Sequence, residues 1–409
     1  MIHRVGRGRY VDAHRGVVPN GTTGVSHERR TIARRGRACD RLPIGLVKLA
    51  CGLYGERDLA AVRDARCVEC DRHTEEQMDT QKQFYEVAEG VRNWGKWGPD
   101  DQLGTLNYIT PDKLRQAASL VKQGKLFALG IDFNADGPQG PHFTLRNNPI
   151  HLMTVDGGDL RLQQHAAYPA TAIEGFMASL WESSPMRFAD DYIMMPLQCG
   201  TQWDALAHVW YDGKLYNGYP AECITSLGAL KNSIDKADKK GVMSKAVLLD
   251  VAGHRGVPSL PPNTPITPED LDAVARAEGV TVEPGDIVLV RTGWWGVWLR
   301  ERNHDTFGGG SPGLTWRCAE WLWRKQVAAV ASDTAAVEVS AQQIEGWRAS
   351  LPMHLLCIRD MGMMLGEMWN LEALAADCRA DGVYEMQVCA PPLRVTGAVG
   401  SPLNPIAVK

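Results

Sequence analysis

Apolar residues gather into three short runs in the second half of this chain: Ala246 to Val251, Ile287 to Arg291 and Val327 to Asp333. Each is nearly continuous and carries a charged residue at or near its end. Runs of this kind predict strands buried on both faces, since a half-solvated strand would alternate apolar and polar. Helical stretches fall between them. Thr267-Pro268-Glu269-Asp270 opens one, with threonine as N-cap and proline at the first helical position, and Gly279 marks its end. Leu314 to Lys325 also reads as a helix. Earlier in the chain, residues 80–94 read as helical, and Thr110-Pro111-Asp112 opens a helix running to about Gly124. Strands are expected over Lys125 to Phe133, Ile150 to Val155 and near 192–204, with the rest of 134–190 rich in loops. Strands separated by helices predict an α/β architecture.

Residues 1–77 do not join this pattern. They lack clear periodicity and hold 15 lysines and arginines, 14 of them arginine, against 10 acidic residues. The arginine content suits a transit segment and the acidic residues do not. No apolar core follows Met1-Ile2-His3-Arg4, which argues against a secretory signal. The segment is expected to be a poorly ordered, dispensable extension read from an upstream start, with the catalytic domain spanning 78–409. Cys67, Cys70 and His73 have zinc-ligand spacing but no fourth partner nearby, and read as chance.

The whole chain is ordinary in composition: 409 residues, 44% hydrophobic, 22% charged, with a net charge of −4. This gives no reason to expect nucleic acid or a membrane surface as partner, and no apolar run has the length of a membrane span. The ten cysteines are scattered, most of them in apolar contexts. That pattern suggests buried free thiols in a reducing compartment, the cytoplasm.

The segment Gln198-Cys199-Gly200-Thr201-Gln202-Trp203-Asp204-Ala205-Leu206-Ala207-His208 carries the chemistry. Gln198, Gln202, Asp204 and His208 share parity, so an extended chain would turn all four to one side. A helix would align the glutamines but swing Asp204 away. Gly200 lets another group approach the backbone. A carboxylate, two carboxamides and an imidazole in one row suit a metal site with a base beside it. Taken alone, the row is equally well the solvated face of an antiparallel sheet.

The row resembles the signature H-x-G-T-H-x-D-x-P-x-H of the metal-dependent cyclase family, which includes kynurenine formamidase and isatin hydrolase. Gly200, Thr201, Asp204 and His208 match. Gln198 and Gln202 replace the histidines, and Leu206 replaces the proline. The departure is similar to the Q-x-x-x-Q-W-D subgroup typified by zinc-dependent trans-dienelactone hydrolase. Further segments match in order: Trp97-Gly98-Pro99-Asp100-Asp101, Leu103 to Asn107, Gly285 to Trp294, Ser332-Asp333-Thr334, and His354 to Leu371.

The resemblance implies a swivelling β/β/α fold in a single catalytic domain. It also implies a homo-oligomer, dimer or tetramer, acting on a small-molecule substrate. It places His354 and Glu367 with Gln198, Gln202 and Asp204 as metal ligands, and His208 as the catalytic acid/base. Two zinc ions are expected, with manganese an option because carboxamide oxygen is a harder donor than imidazole. Asp204 is the natural bridging ligand, and a bridging hydroxide the nucleophile. The reaction expected first is lactone opening. Formamide or cyclic-amide hydrolysis comes second, and a metal-free binding protein is the competing class. Asp250 and Asp333 end apolar strands and read as capping or supporting groups. His254-Arg255 could bind a substrate carboxylate, and most of the 13 tryptophans are expected in the core.

Overall fold

The three apolar runs become neighbours in one sheet. The computed structural model describes residues 80–142, 145–155, 188–340 and 350–409, so the readings placed on 1–77 and on Cys67, Cys70 and His73 lie outside the described residues. The labelled strands are β1 (Leu126–Ala128), β2 (Ile150–Val155), β3 (Asp190–Met194), β4 (Gln202–Asp204), β5 (Met243–Asp250), β6 (Ile287–Arg291), β7 (Ala329–Ser332), β8 (Met364–Glu367), β9 (Glu385–Cys389), β10 (Gly400–Pro402) and β11 (Ile406–Val408). Nine of them form a sheet in the order β1-β11-β9-β5-β6-β7-β8-β4-β10. The central four, β5 to β8, run parallel, and every outer pairing is antiparallel.

Register explains why these runs are apolar throughout. Val247, Val288, Val330 and Leu365 align across the four parallel strands and belong to one core. Their neighbours Ala246, Ile287, Ala329 and Met364 belong to a second core on the opposite face. Helix Pro268–Glu278 and helix Cys318–Arg324 cover the first face through Leu271, Val274, Ala319 and Leu322. Helix Ile234–Lys240 and helix Glu372–Asp381 cover the second through Ile234, Ala237, Leu374 and Ala375. Each buried valine or leucine contributes about 1.5–3 kcal/mol, so both faces are strongly specified.

The predicted caps form. Thr267 Oγ1 accepts from the Asp270 amide while Asp270 accepts from the Thr267 amide, and Gly279 takes the left-handed conformation at φ 69°. Thr110 caps helix Pro111–Ser119, which stops short of Gly124 because the Leu120 amide already closes back on Ala117. The stretch Leu314 to Lys325 is helical only from Cys318. Leu314 pairs as a short strand with Ile266 instead, and its amide donates to Val337.

The strand expected near 192–204 is two strands. β3 pairs with β2 in a separate ribbon, the chain then turns through 195–201, and β4 holds only three residues. Within that turn Gly200 leaves no room for a side chain, since a Cβ would lie 2.5 Å from the Phe133 ring. Among the described residues, no helix is long and apolar enough to cross a membrane.

Candidate metal centre

β4 lies between β8 and β10, and its register sets the site. Gln202 faces Glu367, Trp203 faces Gly366, and Asp204 faces Leu365 on one side and Gly400 on the other. Directly paired residues share a face of the sheet. Gln202, Asp204 and Glu367 therefore point to the same side. Trp203 points to the other, packing edge-on against Trp369 at 5.0 Å and donating to the Ala390 carbonyl at 2.8 Å.

Gln202 Nε2 donates to Glu367 Oε2 at 2.7 Å and to Asp204 Oδ1 at 3.2 Å. His354 ends the short helix Pro352–His354 and runs into a π-helical turn, Leu355–Met361. Its Nε2 lies 3.1 Å from Glu367 Oε1 and 3.8 Å from Asp204 Oδ2. Ligand atoms of Asp204, His354 and Glu367 all fall within 4.8 Å of one another, and all three residues are buried.

Gln198 and His208 reach this face without the extended backbone expected of them. Gln198 sits in the turn before β4, where its Nε2 lies 2.4 Å from where a Cβ on Gly400 would be. Since Gly400 is paired with Asp204, the missing side chain admits Gln198 to the Asp204 face. His208 lies in a turn closed by its own amide on the Ala205 carbonyl at 2.9 Å, which brings its Nε2 to 3.7 Å from Asp204 Oδ1. The four residues converge: strand alternation turns Gln202 and Asp204 to one face, and turns at both ends of the three-residue strand bring Gln198 and His208 to them.

Two side chains at the site carry no signal in the sequence pattern. Glu338, fully buried, accepts from the amides of Met353 and His354 at 3.0 Å each and from His354 Nδ1 at 2.5 Å. Its one sequence cue is a carboxylate set between Val337 and Val339. Arg146 Nη1 donates to the Gln198 carbonyl at 2.9 Å. It lies in a stretch readable only as loop.

The residues named as supports act as supports. Asp333 accepts from the Thr292 amide and hydroxyl, and burial raises its pKa to about 6 against those bonds. Asp250 accepts from the Gly253 amide, capping Val251–His254, and pairs with Arg291. Arg255 pairs with Asp270, the capping-box residue, at 3.0 Å. Trp203, Trp294, Trp295, Trp298 and Trp369 are core residues.

Charge decides what this pocket can hold. His354 faces the buried carboxylates of Glu338, Glu367 and Asp204. Burial disfavours the imidazolium, but bonds to Glu338 and Glu367 outweigh it and raise the His354 pKa to about 10. Burial, then the Asp204 charge, raises Glu367 to about 7, with His354 opposing. One imidazolium cannot offset three buried carboxylates, and such groups are kept only with a cation or a proton. Orphaned polar atoms gather in the same place: Gln198 Nε2, Gln202 Oε1 and Asp204 Oδ2 are buried and have no hydrogen-bond partner among the described residues. Turning a terminal amide exchanges its oxygen and nitrogen in nearly the same volume. The donor set therefore fits a divalent cation with oxygen and imidazole ligands. His208 differs from His354: burial lowers its pKa, Asp204 opposes, and His354 and Arg146 add to the lowering.

The cyclase family matches residues 159–339. A solved structure described as a novel cyclase is 40% identical, covering 79% of this chain and 99% of its own length at a TM-score of 0.68. Isatin hydrolase A from Labrenzia aggregata, bound to benzyl benzoate, is 18% identical over 72% of this chain and 98% of its own, with a TM-score of 0.49. Isatin hydrolase A from Ralstonia solanacearum is 20% identical over 73% of this chain and 98% of its own, also at 0.49. No curated protein matches. With 40% identity across nearly the whole of the solved cyclase, and with the mixed α/β sheet expected of it, the chain belongs to the cyclase family.

Proposed function

We propose that the chain is a metal-dependent hydrolase that opens a cyclic ester, with His208 as general acid/base. The observation that carries this reading is the buried cluster of Asp204, His354 and Glu367, with ligand atoms within 4.8 Å, and His208 Nε2 3.7 Å from Asp204.

Gln198, Gln202, Asp204, His354 and Glu367 would hold the metal. A bound divalent cation supplies Lewis acidity and lowers the pKa of water. The two oxygens of Asp204 face different donors. Oδ1 lies toward Gln202 and His208, and Oδ2 toward His354. That division supports a site that would hold two ions, zinc first and manganese second. Glu338 holds the proton on His354 Nδ1 and so leaves Nε2 as the ligand atom. His208, its pKa lowered by burial, is neutral at neutral pH. It takes a proton from water and returns it to the oxygen released by the ring.

The glutamine pair at 198 and 202 favours a lactone over a formamide or cyclic amide. A panel of lactones, lactams and formamides on metal-loaded protein tests the choice. Lactone opening is expected, and turnover confined to the amides would reassign the substrate class.

A homo-oligomer in the cytoplasm belongs to the same proposal. Ile150, Leu152, Met153, Tyr192, Ile193 and Met194 on the β2–β3 ribbon are exposed, which supports a covered apolar surface. The free thiols of Cys199, Cys318, Cys357 and Cys378 support a reducing compartment. Light scattering on the purified protein tests the first, and localisation of the native protein tests the second.

A further inference from the structure

Two imidazoles approach Asp204 from its two oxygens, His208 Nε2 at 3.7 Å from Oδ1 and His354 Nε2 at 3.8 Å from Oδ2. Their separation depends on the elements that carry them. His354 runs into the π-helical turn Leu355–Met361, a geometry that is rare and frequent at functional sites. Trp94 Nε1 donates to the Arg359 carbonyl at 2.8 Å and Asn93 Nδ2 to the Met361 carbonyl at 2.9 Å, which fixes that turn from outside. His208 has less behind it. β4 ends at Asp204, so His208 lies beyond the sheet ladder.

Tyr211, three positions after His208, makes the missing tie. Its hydroxyl donates to Asp360 Oδ2 at 2.5 Å. Asp360 lies on the π-helical turn, is fully buried, and also accepts from Arg359 and Arg92. The Arg359 guanidinium lies 4.0 Å over the Tyr211 ring and donates to the Lys214 carbonyl at 3.4 Å. Lys214 in turn donates its amide to the Tyr211 carbonyl at 3.2 Å, closing the turn that follows His208. Burial, then the Asp360 charge, raises the Tyr211 pKa, so the phenol keeps its proton and remains the donor.

We infer that Tyr211 is a positioning residue for His208: by bonding to Asp360 it docks the His208 turn on the helix that begins at His354, and so sets where the base stands over the metal centre. This rests on the reading of His208 as general acid/base. A phenylalanine would keep the ring under Arg359 and lose only the bond to Asp360.

The test uses metal-loaded wild type, Y211F, H208A and the double variant Y211F/H208A, with metal content determined for each. Turnover is measured on the compound that wild type opens fastest in a panel of lactones, lactams and formamides. Backbone hydrogen exchange is followed by mass spectrometry. In Y211F, exchange over 205–214 is expected to quicken about 10- to 100-fold, the worth of one hydrogen bond to a charged group. Exchange over 246–251 and metal content are expected to stay as in wild type. kcat is expected to fall about 10- to 100-fold, the scale of a group misplaced by about 1 Å, with KM unchanged. In the H208A background the same change is expected to cost nothing further, because the residue it acts through is gone. Unchanged exchange over 205–214 overturns the proposal. So does an equal fall in kcat with and without His208, which makes Tyr211 act elsewhere. Loss of metal in Y211F also overturns it, making Tyr211 a support for His354. If exchange responds as expected but nothing in the panel is hydrolysed, the tie stands and the hydrolase reading falls.

Discussion

Glu338 accepts a hydrogen bond from His354 Nδ1 at 2.5 Å and another from the amide of the same residue at 3.0 Å. One carboxylate thus fixes both the ring and the backbone of a residue 16 positions away. The Nδ1 proton is held, and Nε2 is turned toward Glu367 and Asp204.

E338Q is expected to lower metal affinity about 10- to 100-fold, the usual effect of losing a carboxylate behind a histidine ligand. A glutamine keeps the volume but sets an N–H₂ group against one of the donors that Glu338 now accepts. Metal titration against a competing chelator measures the change. Affinity equal to wild type would show that the contact does not orient His354.

Asp204 and His208 should separate metal binding from proton transfer. D204A loses the metal, because it removes the carboxylate common to both donor sets. H208A keeps the metal and loses at least about 100-fold in turnover. Elemental analysis with steady-state kinetics on both variants checks this division. Loss of metal in H208A to the extent seen in D204A would make His208 a ligand.

G400A probes how Gln198 enters the site. The new methyl would lie 2.4 Å from Gln198 Nε2 and 3.1 Å from the Trp203 carbonyl. The glutamine end is flexible, so stability should fall by only about 1 kcal/mol, the low end of overpacking costs. Metal affinity should fall with it as Gln198 is displaced. A variant that binds metal as wild type does would remove Gln198 from the ligand set.

The acid limb of the pH–rate profile should report His208. Burial lowers its pKa from 6.5, so protonation, and with it loss of the base, comes only as pH falls below that value. kcat/KM should therefore rise with pH through a midpoint under 6.5, and H208A should erase that limb. A midpoint above 6.5 would contradict the assignment.

The sheet was legible in the sequence because its central strands are buried on both faces. Ala246 to Val251 and Ile287 to Arg291 needed no partner to be recognised, and their paired rows divide cleanly between two cores. The chemistry of Gln198, Gln202, Asp204 and His208 was legible by residue type and spacing, and so was the strand at Gln202–Asp204, but the turns that carry Gln198 and His208 were not. The Ala205 carbonyl closes a local turn on His208 through residues with no Gly or Pro to mark it, and Gly200 yields to Phe133, a contact set by tertiary packing. Glu338 and Arg146 were invisible for the same reason. They meet the site through His354 and Gln198, residues 16 and 52 positions away, and no local period marks them.

Metal content tied to activity tests the central claim most directly. Wild-type protein is prepared, stripped with a strong chelator and reloaded, with divalent ions and lactone hydrolysis measured at each stage. The account predicts about two ions per chain, from a carboxylate whose two oxygens face separate donor sets, and activity that disappears with the ions and returns with them. Protein that carries no divalent metal, and activity untouched by the chelator, would contradict it.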